Sequence, residues 1–308
     1  MKYEKKMLEN LKMPKRQEVE QALLKILYKN NGVIKEFGVG EPVVKEIADD
    51  FGLNNEQRMA YLETVYRKEN RVKKSYLWHR LLFRAADSLA KENLISRPTK
   101  TVLLTNKKEW MLTEEGYSRV LEILHIPLVQ KEIMPIRSYE VQKIVNKICK
   151  QERQENYSPF QTNQSAVVSR ETKLRDRAFQ QVVREVYNFR CAVCGLKLFS
   201  PNNLRCEIEA AHIVPRSVNG KDDVWNGVAF CRLHHWAFDV GWFTLEDNFK
   251  ILVSRQIEDL PLGFGRLDNY DILRELSKGN RKILLPQDLK MYPHPNAVKW
   301  HRENIFYD

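Results

Sequence analysis

The chain has 308 residues, with 51 Lys and Arg against 40 Asp and Glu and a formal net charge of +11. That length allows two compact domains and a connector, each burying its own core. No apolar run approaches the ~18 residues of a membrane span, and the opening Met-Lys-Tyr-Glu-Lys-Lys is too charged for a secretory leader. The expectation is a soluble, cytoplasmic protein with no membrane partner.

The charge is unevenly spread. Residues 1–130 carry +6 (24 minus 18), residues 131–180 carry +4 and residues 181–308 only +1. Such a distribution suits a polyanion, because neutralised phosphates release condensed counterions.

Residues 15–30 place Val19, Leu23, Leu24, Ile26 and Leu27 at helical spacing and end in Asn30-Asn31-Gly32. A second helix fits 42–51, stopped by Gly52, and a third begins near Asn54. Residues 76–90 put Leu77, Leu81, Leu82, Ala85 and Leu89 on one stripe, with Arg71, Lys73, Lys74, Arg80 and Arg84 clustered at the front. Two β-prone runs, 101–105 and 109–112, flank Asn106-Lys107-Lys108. A helix over 113–124 opens with the capping pattern Thr-Glu-Glu-Gly.

Helices, a two-stranded hairpin with a basic tip, then a further helix is the order of a winged-helix domain. Residues 14–122 resemble the N-terminal domain of Mrr-type restriction proteins, in Leu-Trp-His-Arg-Leu-Leu followed by Trp-Met-Leu-Thr-Glu-Glu-Gly. The resemblance implies that the helix at 76–90 enters a groove of double-stranded DNA while Lys107 and Lys108 touch the backbone. The alternative is a helical dimerisation module whose basic face is only solvated.

Residues 131–165 have weak periodicity, and the polar run 151–164 reads as a linker. Helical character returns over 165–189, where Arg170, Lys173, Arg175, Arg177 and Arg184 form a basic face suited to guiding DNA. The division expected is 1–130 for DNA recognition, 131–180 for a basic linker and arm helix, and 181–308 for a metal-site domain.

Four of the five cysteines (Cys191, Cys194, Cys206, Cys231) fall in one short window, which reads as metal binding rather than a disulfide framework. Cys191-x2-Cys194 and Cys231-x2-His234 lie 36 residues apart and supply the four thiolate and imidazole ligands of a closed, structural zinc site. Cys206 lacks a partner at ligand spacing, and Cys149 reads as a helix core residue. His212, Asn226, His235 and Asp239 are left over. His212 ends an alternating strand-like stretch, 228–231 reads as a second strand, and His235 and Asp239 share one face of the helix that follows.

Residues 184–245 resemble an HNH endonuclease of the ββα-metal superfamily, in Ala210-Ala211-His212-Ile213, Asn226 and His234-His235-x-x-Phe238-Asp239. The resemblance implies that His212 is the general base, that Asn226 orients its loop, and that His235 and Asp239 hold one divalent ion, Mg²⁺ or Mn²⁺. It also implies 5′-phosphate and 3′-hydroxyl products. Many relatives carry an Asp or His metal ligand just before the base, where this chain has Ala211; either fewer protein ligands hold the ion, or Glu209 reaches it. Three other readings stay open: His234 and His235 exchanging roles, Asn226 serving only a turn before Gly227, and Asp239 being only a helix-terminal charge. His79, His125, His294 and His301 have no metal-spaced partner.

The fold class expected is α+β: a winged helix, a helical linker and a zinc-stabilised ββα-metal domain. The function expected is a restriction-type DNA endonuclease, with modified DNA among its candidate substrates. Its alternative is a non-catalytic zinc-containing DNA-binding regulator, and an RNA nuclease is a third reading. With one active site per chain, cutting both strands requires a homodimer or successive nicks.

Overall fold

The computed structural model describes residues 2–38, 40–66, 71–132, 134–161, 170–261, 266–267, 270–277 and 281–308. The chain forms two compact units, Met1–Gln142 and Lys143–Asp308. The segment expected as a separate linker and arm, 131–180, is thus divided between them. Its residues 162–169 lie outside the described residues.

The first unit runs α1 (Lys2–Asn10), α2 (Arg16–Lys29), β1 (Val33–Lys35), α3 (Pro42–Asp50), α4 (Asn55–Met59), β2 (Tyr61–Tyr66), β3 (Arg71–Tyr76) and α5 (Leu77–Lys91). It continues with β4 (Ile95–Ser96), α6 (Pro98–Thr105), β5 (Glu109–Leu112) and α7 (Glu114–Ile123). The stripes foreseen on α2 and α5 meet in the core, where Val19, Leu23, Leu27, Leu77, Leu82 and Ala85 are buried. Trp78 joins them, its indole N–H donating to the Val44 carbonyl at 3.1 Å. Burying one such side chain contributes about 1.5–3 kcal/mol. At the start of α7, Thr113 Oγ1 accepts from the Gly116 N–H at 3.0 Å. Gly116 is required there, because a Cβ would stand 1.8 Å from the Leu94 carbonyl oxygen.

Two expectations are corrected here. Residues 101–105 are helical, not a strand: Pro98 occupies the first turn of α6, where its fixed φ suits a helix, and Asn106 ends it in the left-handed region at φ 56°. The strand β5 pairs instead with β1 and β4, in the sheet order β1-β5-β4, so Lys107 and Lys108 follow a helix rather than tip a hairpin. A hairpin does exist elsewhere, formed by β2 and β3, which pair antiparallel from Tyr61↔Tyr76 to Tyr66↔Arg71. It carries Arg71, Lys73 and Lys74 on a strand and not on the front of α5.

The second unit begins within α8 (Tyr139–Cys149), which carries the chain from one unit to the other. Val141, Val145 and Ile148 occupy the buried stripe of α8. Cys149, one residue further round, is exposed rather than in a core. Then follow α9 (Arg170–Val186), β6 (Ile208–His212), β7 (Gly227–Cys231), α10 (Arg232–Asp239), β8 (Phe243–Leu245), β9 (Ile251–Val253), β10 (Arg266–Leu267), β11 (Tyr270–Asp271), α11 (Ile272–Ser277) and α12 (Pro295–Asn304). The strands β6 and β7 pair antiparallel, Ile208↔Cys231 through His212↔Gly227. Helix α9 is no free arm: Phe179, Val182 and Val183 are buried, and it packs on β6 and β7. Gly227 makes that contact possible, since a Cβ there would meet Val183 at 2.5 Å and Phe179 at 2.9 Å.

His301 of α12 is a structural histidine. It is 1% exposed, stacked on Phe238 with ring centroids 3.6 Å apart. Its Nε2–H donates to the Phe238 carbonyl at 3.2 Å, and Nδ1 accepts from the Thr244 hydroxyl at 2.9 Å. Burial pushes its pKa down to about 4, against the smaller pull of that carbonyl. The folded value lies below the unfolded one, so the unfolded chain binds the extra proton between about pH 6.5 and 4. Stability from neutral His301 is therefore complete above about pH 6.5 and is lost as the pH falls toward 4, a loss of order 1–3 kcal/mol. Denaturant unfolding at pH 7 and pH 4.5 checks this; His301→Gln, which cannot titrate, flattens the difference.

Candidate active site and metal centre

The loop before α9's strand partners and the start of α10 bring four soft ligands together. One donor atom each from Cys191, Cys194, Cys231 and His234 lies within 4.8 Å of all the others. His234 Nδ1 is 3.0 Å from Cys231 Sγ and 3.6 Å from Cys191 Sγ. Burial opposes protonation of His234, but the neighbouring Cys191 and Cys194 sulfurs outweigh it and raise its pKa to about 9. A dication neutralises that negative field better than a proton does, and three thiolates with one imidazole are a tetrahedral zinc donor set. Cys206 stays outside the cluster, its thiol pushed up by burial.

His235, one position further on α10, points elsewhere and stands outside the Cys₃His cluster. Its Nδ1 is 2.8 Å from Glu209 Oε2, and its Nε2 is 3.4 Å from Asp239 Oδ2. Adjacent ligands of one octahedral ion at ~2.1 Å stand about 3 Å apart, so His235 Nε2 and Asp239 fit a shared divalent ion. Glu209, on β6, engages the other ring nitrogen and fixes the tautomer that leaves Nε2 available. The charges are mutually tuned. Burial raises the Asp239 carboxyl while His235 opposes it, and the His235 hydrogen bond holds Glu209 below the usual carboxylate range.

His212 ends β6 beside this pair and shares in the electrostatics of Asp239. Its ring lies flat on Phe179, centroids 3.9 Å apart and planes 16° from parallel. Its Nε2 is 2.9 Å from Asp222 Oδ1. Asp222 also faces Arg216 Nε at 3.4 Å, and Arg216 reaches Asp176 of α9 at 3.0 Å. Sequence reasoning missed Asp222, Phe179 and Arg216. The alternation of β6 gives no signal for a carboxylate ten residues on, or for a ring on a helix more than thirty residues earlier.

Asn226 is fully buried and does more than turn the chain. Its Oδ1 accepts from the Val214 N–H at 2.8 Å, and its Nδ2 donates to the carbonyls of Val214 and Lys221, both at 3.0 Å. The amide thus ties together both ends of the loop that leaves His212 and returns through Asp222. Gly220 lets the loop close, since a Cβ would sit 1.8 Å from the Val214 carbonyl oxygen. Asn226→Ala leaves these buried groups unpaired and costs about 2–3 kcal/mol; thermal unfolding measures the loss.

The expected DNA-binding residues divide between the two units. In the first, Lys73 and Lys74 are exposed on β3, and Lys107 and Lys108 are exposed after α6. Lys74 pairs with Glu63 at 3.4 Å and lies over the Tyr61 ring. Arg80 and Arg84 both reach Glu4 of α1, at 2.9 and 2.7 Å. Burial opposes ionisation of Glu4, but the two guanidinium groups outweigh it and keep the carboxyl below its usual range. In the second, Lys173 is exposed on α9, whereas Arg177 is 8% exposed and is no surface contact. Arg184 is likewise buried, its Nε donating to the Ile208 carbonyl at 2.8 Å. The basic face of α9 is therefore narrower than its sequence suggested, because its apolar stripe turns those two side chains inward. The side chains of Arg71 and Arg170 lie outside the described residues.

An antiparallel strand pair followed by a helix, carrying a Cys₃His cluster and two further histidines each paired with a carboxylate, is a ββα arrangement. Residues 191–246 match the model of the HNH endonuclease family. A solved structure described as a modification-dependent TagI restriction endonuclease is similar at 16% identity and a TM-score of 0.32, over 45% of this chain and 44% of that chain. This chain thus spans less than half of that structure's length. No curated protein matches the chain. Among the described residues, no helix is long and apolar enough to cross a membrane.

Proposed function

We propose that the chain is a DNA endonuclease that hydrolyses phosphodiester bonds with His212 as general base. The observation that carries this reading is the pairing of two histidines outside the metal cluster with carboxylates: His212 with Asp222, and His235 with Glu209. A purely structural zinc knob has no use for two such histidines outside its ligand shell.

With Nε2–H donating to Asp222, His212 presents Nδ1 as the base that takes a proton from water. The water oxygen bonds to phosphorus as the 3′ oxygen–phosphorus bond opposite is replaced by a 5′-phosphate product and a 3′-hydroxyl. That bond assignment requires attack to expel the 3′ oxygen, which takes up a proton. Asn226 keeps the loop at His212 closed. A divalent ion, Mg²⁺ or Mn²⁺, held by His235 Nε2 and Asp239 would supply positive charge at the phosphate and the leaving oxygen. Zinc at Cys191, Cys194, Cys231 and His234 would hold the scaffold.

The first unit is read as a winged-helix reader of double-stranded DNA. What supports it is the order α2, β1, α3, α5, β4, β5 and the sheet order β1-β5-β4, with the β2–β3 hairpin inserted before α5 and α6 in place of a simple wing. Lys73, Lys74, Lys107 and Lys108 are exposed on it and would face the DNA backbone. A restriction role, a preference for modified DNA, and pairing of two copies to cut both strands extend this reading.

Supercoiled plasmid incubated with the zinc-loaded protein and Mg²⁺ or Mn²⁺ tests the proposal. Nicked or linear products that a ligase reseals are expected. Intact plasmid under every divalent ion, with folded protein, favours the non-catalytic regulator. Matched modified and unmodified duplexes, with RNA as competitor, then read substrate class.

A further inference from the structure

Resting on the nuclease reading above, we infer that Asp222 is a positioning residue that sets the catalytic orientation and tautomer of His212. Two contacts fix the imidazole. The Phe179 face, 3.9 Å away, sets the plane of the ring. The Asp222 carboxylate, 2.9 Å from Nε2, sets its rotation within that plane.

The Asp222 side chain is only 8% exposed and is itself held by Arg216 at 3.4 Å. Arg216 is anchored in turn on Asp176 at 3.0 Å. The buttress therefore reaches from the nuclease loop to α9, an element outside the strand pair and helix that carry the reacting groups. A carboxylate is acceptor-only when ionised, so it selects the tautomer with hydrogen on Nε2 and the lone pair on Nδ1. When Nδ1 takes the proton of the attacking water, an O–H bond breaks and an N–H bond forms. The resulting imidazolium lies against the Asp222 charge, which stabilises it as a triad carboxylate does. An amide at this position can rotate to present its NH₂ to Nε2, which stabilises the opposite tautomer with no base at Nδ1.

Asp222→Asn and Asp222→Ala test this in the full-length, zinc-loaded protein under Mn²⁺ or Mg²⁺. The expected result is a kcat for cleavage lower by about 10²-fold, with KM for duplex DNA within about twofold of wild type. In a His212→Ala background the same changes cost no further loss, because the residue acts only through His212. Zinc content and thermal midpoint, measured on each variant, separate these effects from unfolding. Nitrogen-15 spectra of the histidine side chains give a readout independent of turnover: hydrogen on Nε2 of His212 in wild type, and loss of that single tautomer in Asp222→Asn.

Wild-type kcat in both Asp222 variants, an equal loss in the His212→Ala background, or hydrogen on Nδ1 in wild type each overturns the inference. If His212→Ala is itself lost but Asp222→Asn is fully active, this inference alone falls. If His212→Ala cleaves like wild type, the nuclease reading falls with it.

Discussion

In His212→Ala the cleavage rate is expected to fall by about 10³-fold with the fold left in place. General-base catalysis contributes about 10²–10⁴-fold, and the other proposed site residues survive the change. The side chain is partly solvent-accessible at the end of β6, and its contacts are the Phe179 face and Asp222. Removing it leaves a gap at the partly exposed end of β6 and not in the core around Phe230 and Phe238. Zinc content, circular dichroism and duplex binding should match wild type, and only product formation should collapse. Full activity in this variant would remove His212 from the mechanism, whatever the fate of the zinc site.

Loss of the metal cluster has the opposite signature. Cys231→Ser, or prolonged chelation, should unfold the second unit and leave the first folded. Structural zinc contributes about 10–16 kcal/mol in small domains, as much as the whole 5–15 kcal/mol stability of a typical fold. Cys231 ends β7 and precedes α10, so a zinc ion bound there would set the angle at which His235 and Asp239 meet β6. Leu27, Leu77 and Leu82 are buried in the first unit, and Phe179, Phe230 and Phe238 in the second. Two unfolding transitions are expected in wild type, and chelator should abolish one of them. A single transition that ignores chelation would show that the cluster holds no stabilising ion.

Helix α5 was legible because its stripe from Leu77 to Leu89 has one period and one core to face. The β2–β3 hairpin was not, since its cationic run, read as the front of α5, gains its strand form only from pairing across to Tyr61 and Glu63. Residues 101–105 show the converse. Val102, Leu103 and Leu104 read as β-prone, yet Pro98 and Asn106 cap a helix, and short apolar runs carry no period long enough to decide. On α9 the basic residues were plain, but burial of Arg177 and Arg184 depended on which face met β6 and β7.

That Cys191, Cys194, Cys231 and His234 could share one metal ion was legible from chemistry and spacing alone, and the structure gathers them. Which of His234 and His235 joins that cluster was not. Adjacent residues on a helix diverge by about 100°, and only the fold shows which side faces the thiolates. Glu209 and Ala211 divide in the same way: the sequence shows Ala211 where the resembled family carries a ligand, while the structure sets Glu209 against His235 Nδ1.

By itself, then, the sequence determined which residue types could bind zinc, which could do proton chemistry, and which helices had an inward face. These are local properties, fixed by side-chain chemistry and a period of a few residues. Tertiary structure decided which carboxylate meets which histidine, because Asp222 and Glu209 reach their partners only through loop closure at Asn226 and strand register. Contacts between distant residues are set by packing, and no local pattern encodes them.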